Sequence, residues 1–155
     1  MSTYVLMILI GVIAGLRSMT APAAVSWAAR LGWLHLEGSW LAVLGSSAMP
    51  YILSALAIGE LIGDKLPKTP NRKALVPFIG RVMSGALCGA ALSATNQALI
   101  GGALMGALGS VAGTLGGYEF RARLVKAIGG NDLPIALFED AIAICGAVLI
   151  VSRFS

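Results

Sequence analysis

The run Ile52-Leu53-Ser54-Ala55-Leu56-Ala57-Ile58-Gly59-Glu60-Leu61-Ile62-Gly63-Asp64 constrains this chain more than any other stretch. It is an apolar segment of helix length that carries two acids. Glu60 and Asp64 are four residues apart, so a helix puts them on one face. A carboxylate in such a run is costly unless it faces protein, water or a counter-ion. The pattern returns in Ile135-Ala136-Leu137-Phe138-Glu139-Asp140-Ala141-Ile142, again with two acids inside an apolar stretch. Any fold for this chain must shelter these four carboxylates.

Composition decides what they are sheltered from. Only 12% of the 155 residues are charged, about half the fraction usual in a soluble domain. Mean hydropathy is +0.87. One small soluble core cannot hide this many apolar segments from water. The expected fold is therefore an all-α polytopic membrane protein, one membrane domain over residues 1–155. No Lys or Arg precedes the first apolar run. Tyr4 to Leu16 accordingly reads as a membrane segment, not a cleaved signal peptide. Cys88 and Cys145 lie in apolar runs without disulfide or zinc spacing. There is no phosphate loop and no HExxH, and His35 is the only histidine. No cofactor and no enzymatic activity is expected, and the sequence specifies no metal. The net charge of +4 comes from short loops. It suits an anionic inner leaflet, not nucleic acid.

In chain order, hydropathy predicts five spans. The first covers residues 4–31 and is interrupted by Gly15-Leu16-Arg17-Ser18-Met19-Thr20-Ala21-Pro22. It is either one kinked helix or two half-helices, with Ser18 or Thr20 able to cap a new start. Trp33, His35, Glu37 and Trp40 then mark an interfacial loop. The second span is 47–66, with Pro50 in its first turn, and the third is 75–93. The fourth is 98–125, rich in glycine, and ends in Glu119, Arg121, Arg123 and Lys126. Asn131 or Asp132 caps the fifth, with Pro134 in its first turn, and it ends near Ser152. The positive-inside rule places both basic loops in the cytoplasm of a bacterial inner membrane. Five spans then put the N-terminus inside and the C-terminus outside.

Ile13-Ala14-Gly15-Leu16 can be laid on Val111-Ala112-Gly113-Thr114, and each block precedes a helix with central acids. This suggests repeat units 4–66 and 98–152 around a linker helix, 75–93, of inverted topology. Gly11/Gly15, Gly59/Gly63, Gly85/Gly89, Gly102/Gly106, Gly109/Gly113 and Gly113/Gly117 are four apart. Such faces pack helices closely within one bundle, and they also suit a homodimer seam.

Glu60, Glu139, Asp140, Asp64, Arg17 and Arg81 are the candidate substrate- or ion-binding residues. Buried acids carry protons or bind cations, and arginines balance them or lock helices together by ion pairing. Lys65, Lys68, Arg72 and Lys73 are candidates for lipid or anion binding. Glu119 and Arg123 have the spacing of a helix ion pair.

Gly15 to Pro22, the string Gly63-Asp64-Lys65-Leu66-Pro67-Lys68-Thr69-Pro70-Asn71-Arg72, Gly80-Arg81 with Ser84-Gly85-Ala86, and Glu139-Asp140-Ala141 carry a resemblance. Together they resemble the bacterial membrane family catalogued as domain of unknown function 4126. The resemblance implies a small integral membrane protein and assigns no activity. The expected function is a small secondary transporter or channel-like carrier. It would bind a cation or proton at Glu60 and Glu139, balanced by Arg17. The alternative is a non-transporting scaffold or anionic-lipid-binding protein. A small ion, a metabolite or a lipid would be its ligand.

Overall fold

A computed structural model describes residues 2–66, 74–94 and 98–155. Among them the chain forms helices and no strand. They are α1 (Thr3–Leu16), α2 (Thr20–Arg30), α3 (Met49–Gly63), α4 (Leu75–Ser93), α5 (Leu99–Ala127) and α6 (Leu133–Val151). Short 3-10 turns cover Trp40–Gly45 and Ser152–Phe154. The boundaries of α4 coincide with the hydropathy segment, and those of α5 and α6 differ by one or two residues.

Three helices, α4, α5 and α6, are long and apolar enough to cross a membrane. The apolar helices α1 and α3 have 14 and 15 residues. At 1.5 Å per residue they reach about 21 and 22 Å, less than the roughly 30 Å hydrocarbon layer. The five expected spans therefore include two helices shorter than the layer.

The first segment is two helices, not one kinked rod. α1 ends at Arg17, whose backbone is extended (φ −140°, ψ 110°), and α2 starts at Thr20. Pro22 does not make the break. It is the third residue of α2, where its missing N–H belongs to the unpaired first turn anyway.

Glycine sets the packing. α1 and α4 have their most extensive contacts with α5. A Cβ at Gly11 would strike the Gly106 carbonyl, and one at Gly15 the Ser110 carbonyl. From the other side, a Cβ at Gly109 would strike Ile8, and one at Gly113 would strike Val12. Pair Gly11 with Gly109 and Gly15 with Gly113, and every contact has its counterpart with the helices exchanged. α1 and α5 thus meet side by side and parallel, about a local two-fold along their axes. Dispersion and weak backbone contacts hold such a seam in place of a hydrophobic drive. α4 meets α5 antiparallel, with Gly85 on Gly106 and Gly89 on Gly102.

Gly15 and Gly113, laid together in the sequence comparison, touch across this seam, but a repeat of units 4–66 and 98–152 is not shown. The inverted topology is not what the helices show, since an inverted pair runs in opposite directions. The reason is the break after α1, which adds a pass. α2 leaves it and α3 returns to it. Ser18 and Met19 meet Glu60 at one end of this hairpin. Trp27 meets Tyr51 edge-on at 5.2 Å and bonds Ser54 at the other.

α6 runs antiparallel to α1, since Arg17 meets Asp140 while Ile13 faces Gly146. Thr3 and Leu6 share a cavity with Arg153 and Phe154. The start of α1 and the end of α6 therefore lie at the same end of the bundle. Arg121, Arg123 and Lys126 lie at the other, beside the start of α6. The expected separation of the two ends is corrected by the same extra pass.

Two outcomes follow from this packing. Gly106→Ala should destabilise the protein by about 1–3 kcal/mol through overpacking, read by thermal unfolding in detergent. Gly116→Ala should not, because nothing described lies within 4 Å of the added methyl. Cysteines placed at Ser2 and Ser155, with Cys88 and Cys145 removed, should react with an impermeant maleimide from the same membrane face. A cysteine at Lys126 should react from the opposite face.

Candidate functional site

A helix broken inside an apolar bundle exposes carbonyls of α1 and N–H groups of α2, and apolar neighbours satisfy neither. Side chains from three other helices do so. Glu60 of α3 accepts from the Ser18 N–H and the Ser18 hydroxyl, both at 2.8 Å, and from the Met19 N–H at 2.8 Å. It caps α2 from outside and sets a negative charge at the positive end of that helix. Neither Ser18 nor Thr20 is the cap. The N-cap residue is Met19, and it makes no side-chain cap bond. The Gly15 carbonyl accepts from Arg81 at 2.9 Å and from Thr114 at 3.1 Å. The Ser18 carbonyl accepts from the Ser84 hydroxyl.

Arg17 occupies the break and is 0% exposed. Its Nη1 pairs with Asp64, the C-cap residue of α3. Its Nη2 lies 2.5 Å from Asp140 Oδ1. This second approach is an ion pair without hydrogen-bond alignment: among the described residues Arg17 Nε, Arg17 Nη2 and Asp140 Oδ1 find no hydrogen-bond partner. Lys65 Nζ donates to Asp140 Oδ2 at 2.6 Å and to the Leu61 carbonyl at 2.9 Å. Two cations here face two carboxylates. Asp140 is seven residues into α6, about 10 Å along the helix from its start.

A second set lies nearer the end of the bundle. Arg121 holds Asp132 with Nε at 2.7 Å and Nη2 at 2.5 Å, and reaches Glu139 with Nη1 at 3.2 Å. Asp132 occupies the N-cap position of α6 but spends its carboxylate on Arg121, so it makes no cap bond. Arg121 and Glu139 edge a cavity of about 60 Å³ that is otherwise walled by apolar side chains such as Leu16, Phe120 and Phe138.

A family model described as a domain of unknown function, DUF4126, matches residues 5–152. The chain belongs to this family. No curated protein and no solved structure matches it. The match takes in the break and both charged sets.

The structure divides the expected site residues. Arg17, Asp64 and Asp140 come together. Glu60 and Glu139 do not join them, and Arg17 is not their counter-ion. Glu60 is taken up by backbone capping, while Glu139 turns to Arg121. Adjacent residues on a helix diverge by about 100°, so Glu139 and Asp140 address different neighbours. Arg81 serves a backbone carbonyl. Lys65, expected among the lipid or anion ligands, belongs to the Asp140 network. Lys68, Arg72 and Lys73 lie outside the described residues. Glu119 and Arg123 do approach, at 4.0 Å and largely exposed. Among the described residues no three His, Cys, Asp or Glu side chains are grouped to hold a metal ion. Thr114 was not singled out by sequence, because a hydroxyl in a glycine-rich helix gives no signal of its partner.

Removing one member of a buried pair leaves the other uncompensated. Arg17→Ala should therefore cost about 3–5 kcal/mol of stability. Adding Asp64→Asn to it should recover part of that loss, which a double-mutant cycle measured by thermal or denaturant unfolding reads directly.

Proposed function

We propose that this protein is a small membrane carrier, of the secondary-transporter or channel-like kind, whose working groups are Asp64 and Asp140 held by Arg17. The observation that carries this reading is the wholly buried Arg17 at a broken helix, matched by acids from two other helices. Ionisable groups inside a membrane are costly, and those that are kept pair with one another and mark ion or proton paths. Broken helices are the usual frame for such sites. The ligand in this reading is a cation or a proton.

Under the positive-inside rule, the end with Arg121, Arg123 and Lys126 faces the cytoplasm of a bacterial inner membrane. The start of α1 and the end of α6 are then outside, the reverse of the sequence expectation for the first. A homodimer belongs to the same reading. α3 leaves Tyr51, Ile52, Ile58 and Ile62 uncovered beside Gly59 and Gly63, where an added Cβ would meet open space.

In proteoliposomes, Asp140→Asn and Asp64→Asn should each lower flux at least about tenfold, the change expected for 1.4 kcal/mol of lost binding. Unchanged flux in both would remove these acids from any transport mechanism.

One observation favours a second reading, a non-transporting scaffold that binds anionic lipid. The Arg17 network is charge-balanced as it stands, while Arg123, 83% exposed, and Lys126 are open to headgroups. Retained anionic lipid without flux would be its mark.

A further inference from the structure

We propose that Lys65 is a tethered competitor for a site on Asp140, and that the site takes a single positive charge, a proton or a monovalent metal cation, when Lys65 withdraws. The proposal rests on the buried network of the carrier reading, though it requires binding alone and not transport.

The two cations on Asp140 are unlike each other. Arg17 is locked in the helix break with no exposure, and its forked guanidinium spans two carboxylates. Lys65 follows the C-cap of α3 and its side chain is 26% exposed. It sits on a flexible four-carbon stem. Its second bond goes only to the Leu61 carbonyl of its own helix end. Of the two, Lys65 is the one that can leave without disturbing the break.

Its departure changes the charge count. Arg17 then faces Asp64 and Asp140 alone, and the network carries one net negative charge. Asp140 Oδ2 is released beside Oδ1, which already lacks a hydrogen-bond partner among the described residues. One positive charge restores neutrality. A divalent ion would overshoot it, and an uncompensated charge at this depth is costly. Among the described residues the charged groups around Asp140 are Arg17 from α1 and Asp64 and Lys65 from the end of α3, with Glu60 one turn before Asp64 held on the Ser18 and Met19 N–H groups, while neighbouring Glu139 turns to Arg121 on α5. Entry is from the Lys65 side, because Leu6, Met7, Ile10, Ile13, Ala143 and Ala147 are buried below the network.

The test uses the full-length protein in detergent and compares wild type, Lys65→Met and Lys65→Met/Asp140→Asn by thermal unfolding. Ionic strength is held with choline chloride while sodium or potassium chloride is raised. In a separate series pH is lowered in choline alone. Lys65→Met should be stabilised saturably by sodium or potassium if the occupant is a metal ion. If it is a proton, stability should rise as pH falls. Calcium should add nothing, and the double variant should lose either response. Equal responses in Lys65→Met and wild type overturn the proposal. A second measurement covers the case in which Lys65→Met does not fold: amine-reactive labelling of Lys65, read by mass spectrometry. Labelling should be severalfold faster in Asp140→Asn than in wild type, and an equal rate overturns the proposal. Cation binding in Lys65→Met without flux in wild-type proteoliposomes would leave this inference standing and end the carrier reading.

Discussion

Backbone polar groups cannot be left unpaired in hydrocarbon, and this bundle breaks its first apolar segment in the middle. Much of the interior answers that requirement. α3 supplies Glu60 to the exposed N–H groups of α2. α4 and α5 supply Arg81, Ser84 and Thr114 to the carbonyls on either side. Arg17 then sits inside the break and needs its own counter-charges, which Asp64 and Asp140 provide. α3, α4, α5 and α6 are thus all tied to the short stretch from Gly15 to Met19. The charged centre and the discontinuity are one feature, since neither is tolerable in lipid without the other's partners.

Such a centre can be assembled only if helices approach closely, and glycine makes this possible. The α1–α5 seam carries glycine on both sides in a reciprocal pattern, and α4 closes beside α1 on the same stretch of α5 through Gly85 and Gly89. The three helices form a closely packed wall at the level of Arg17. α2 and α3 hang on that wall as a hairpin, and α3 remains uncovered over most of its surface. The movable cation, Lys65, belongs to this loosely covered element, while the fixed one belongs to the glycine-packed wall. That division gives the network one closely packed side and one side able to yield.

Much of the architecture was legible from periodicity and composition. The helices long and apolar enough to span, α4, α5 and α6, follow from the length of their apolar runs, the stop of α5 from Gly129 and Gly130, and the start of α6 from Pro134. Gly129 and Gly130 adopt positive φ past the end of α5, the conformation that glycine alone takes without strain. The direction of the helices was not legible. It turns on whether residues 17–19 bend or break the chain, and bonds to residues more than forty positions away decide that.

The sequence by itself determined that this is a helical chain with apolar, membrane-type segments, and that Arg17, Glu60, Asp64, Glu139 and Asp140 interrupt them and need partners. Hydropathy and helical spacing are local properties, and they suffice for those conclusions. Only the tertiary structure decided the partners. It gave Glu60 to the backbone, Glu139 to Arg121, and Asp64 and Asp140 to Arg17, with Lys65 as the fourth member. Ion pairing depends on distances of a few ångströms between helices remote in sequence, and no local pattern encodes which carboxylate a buried arginine will meet.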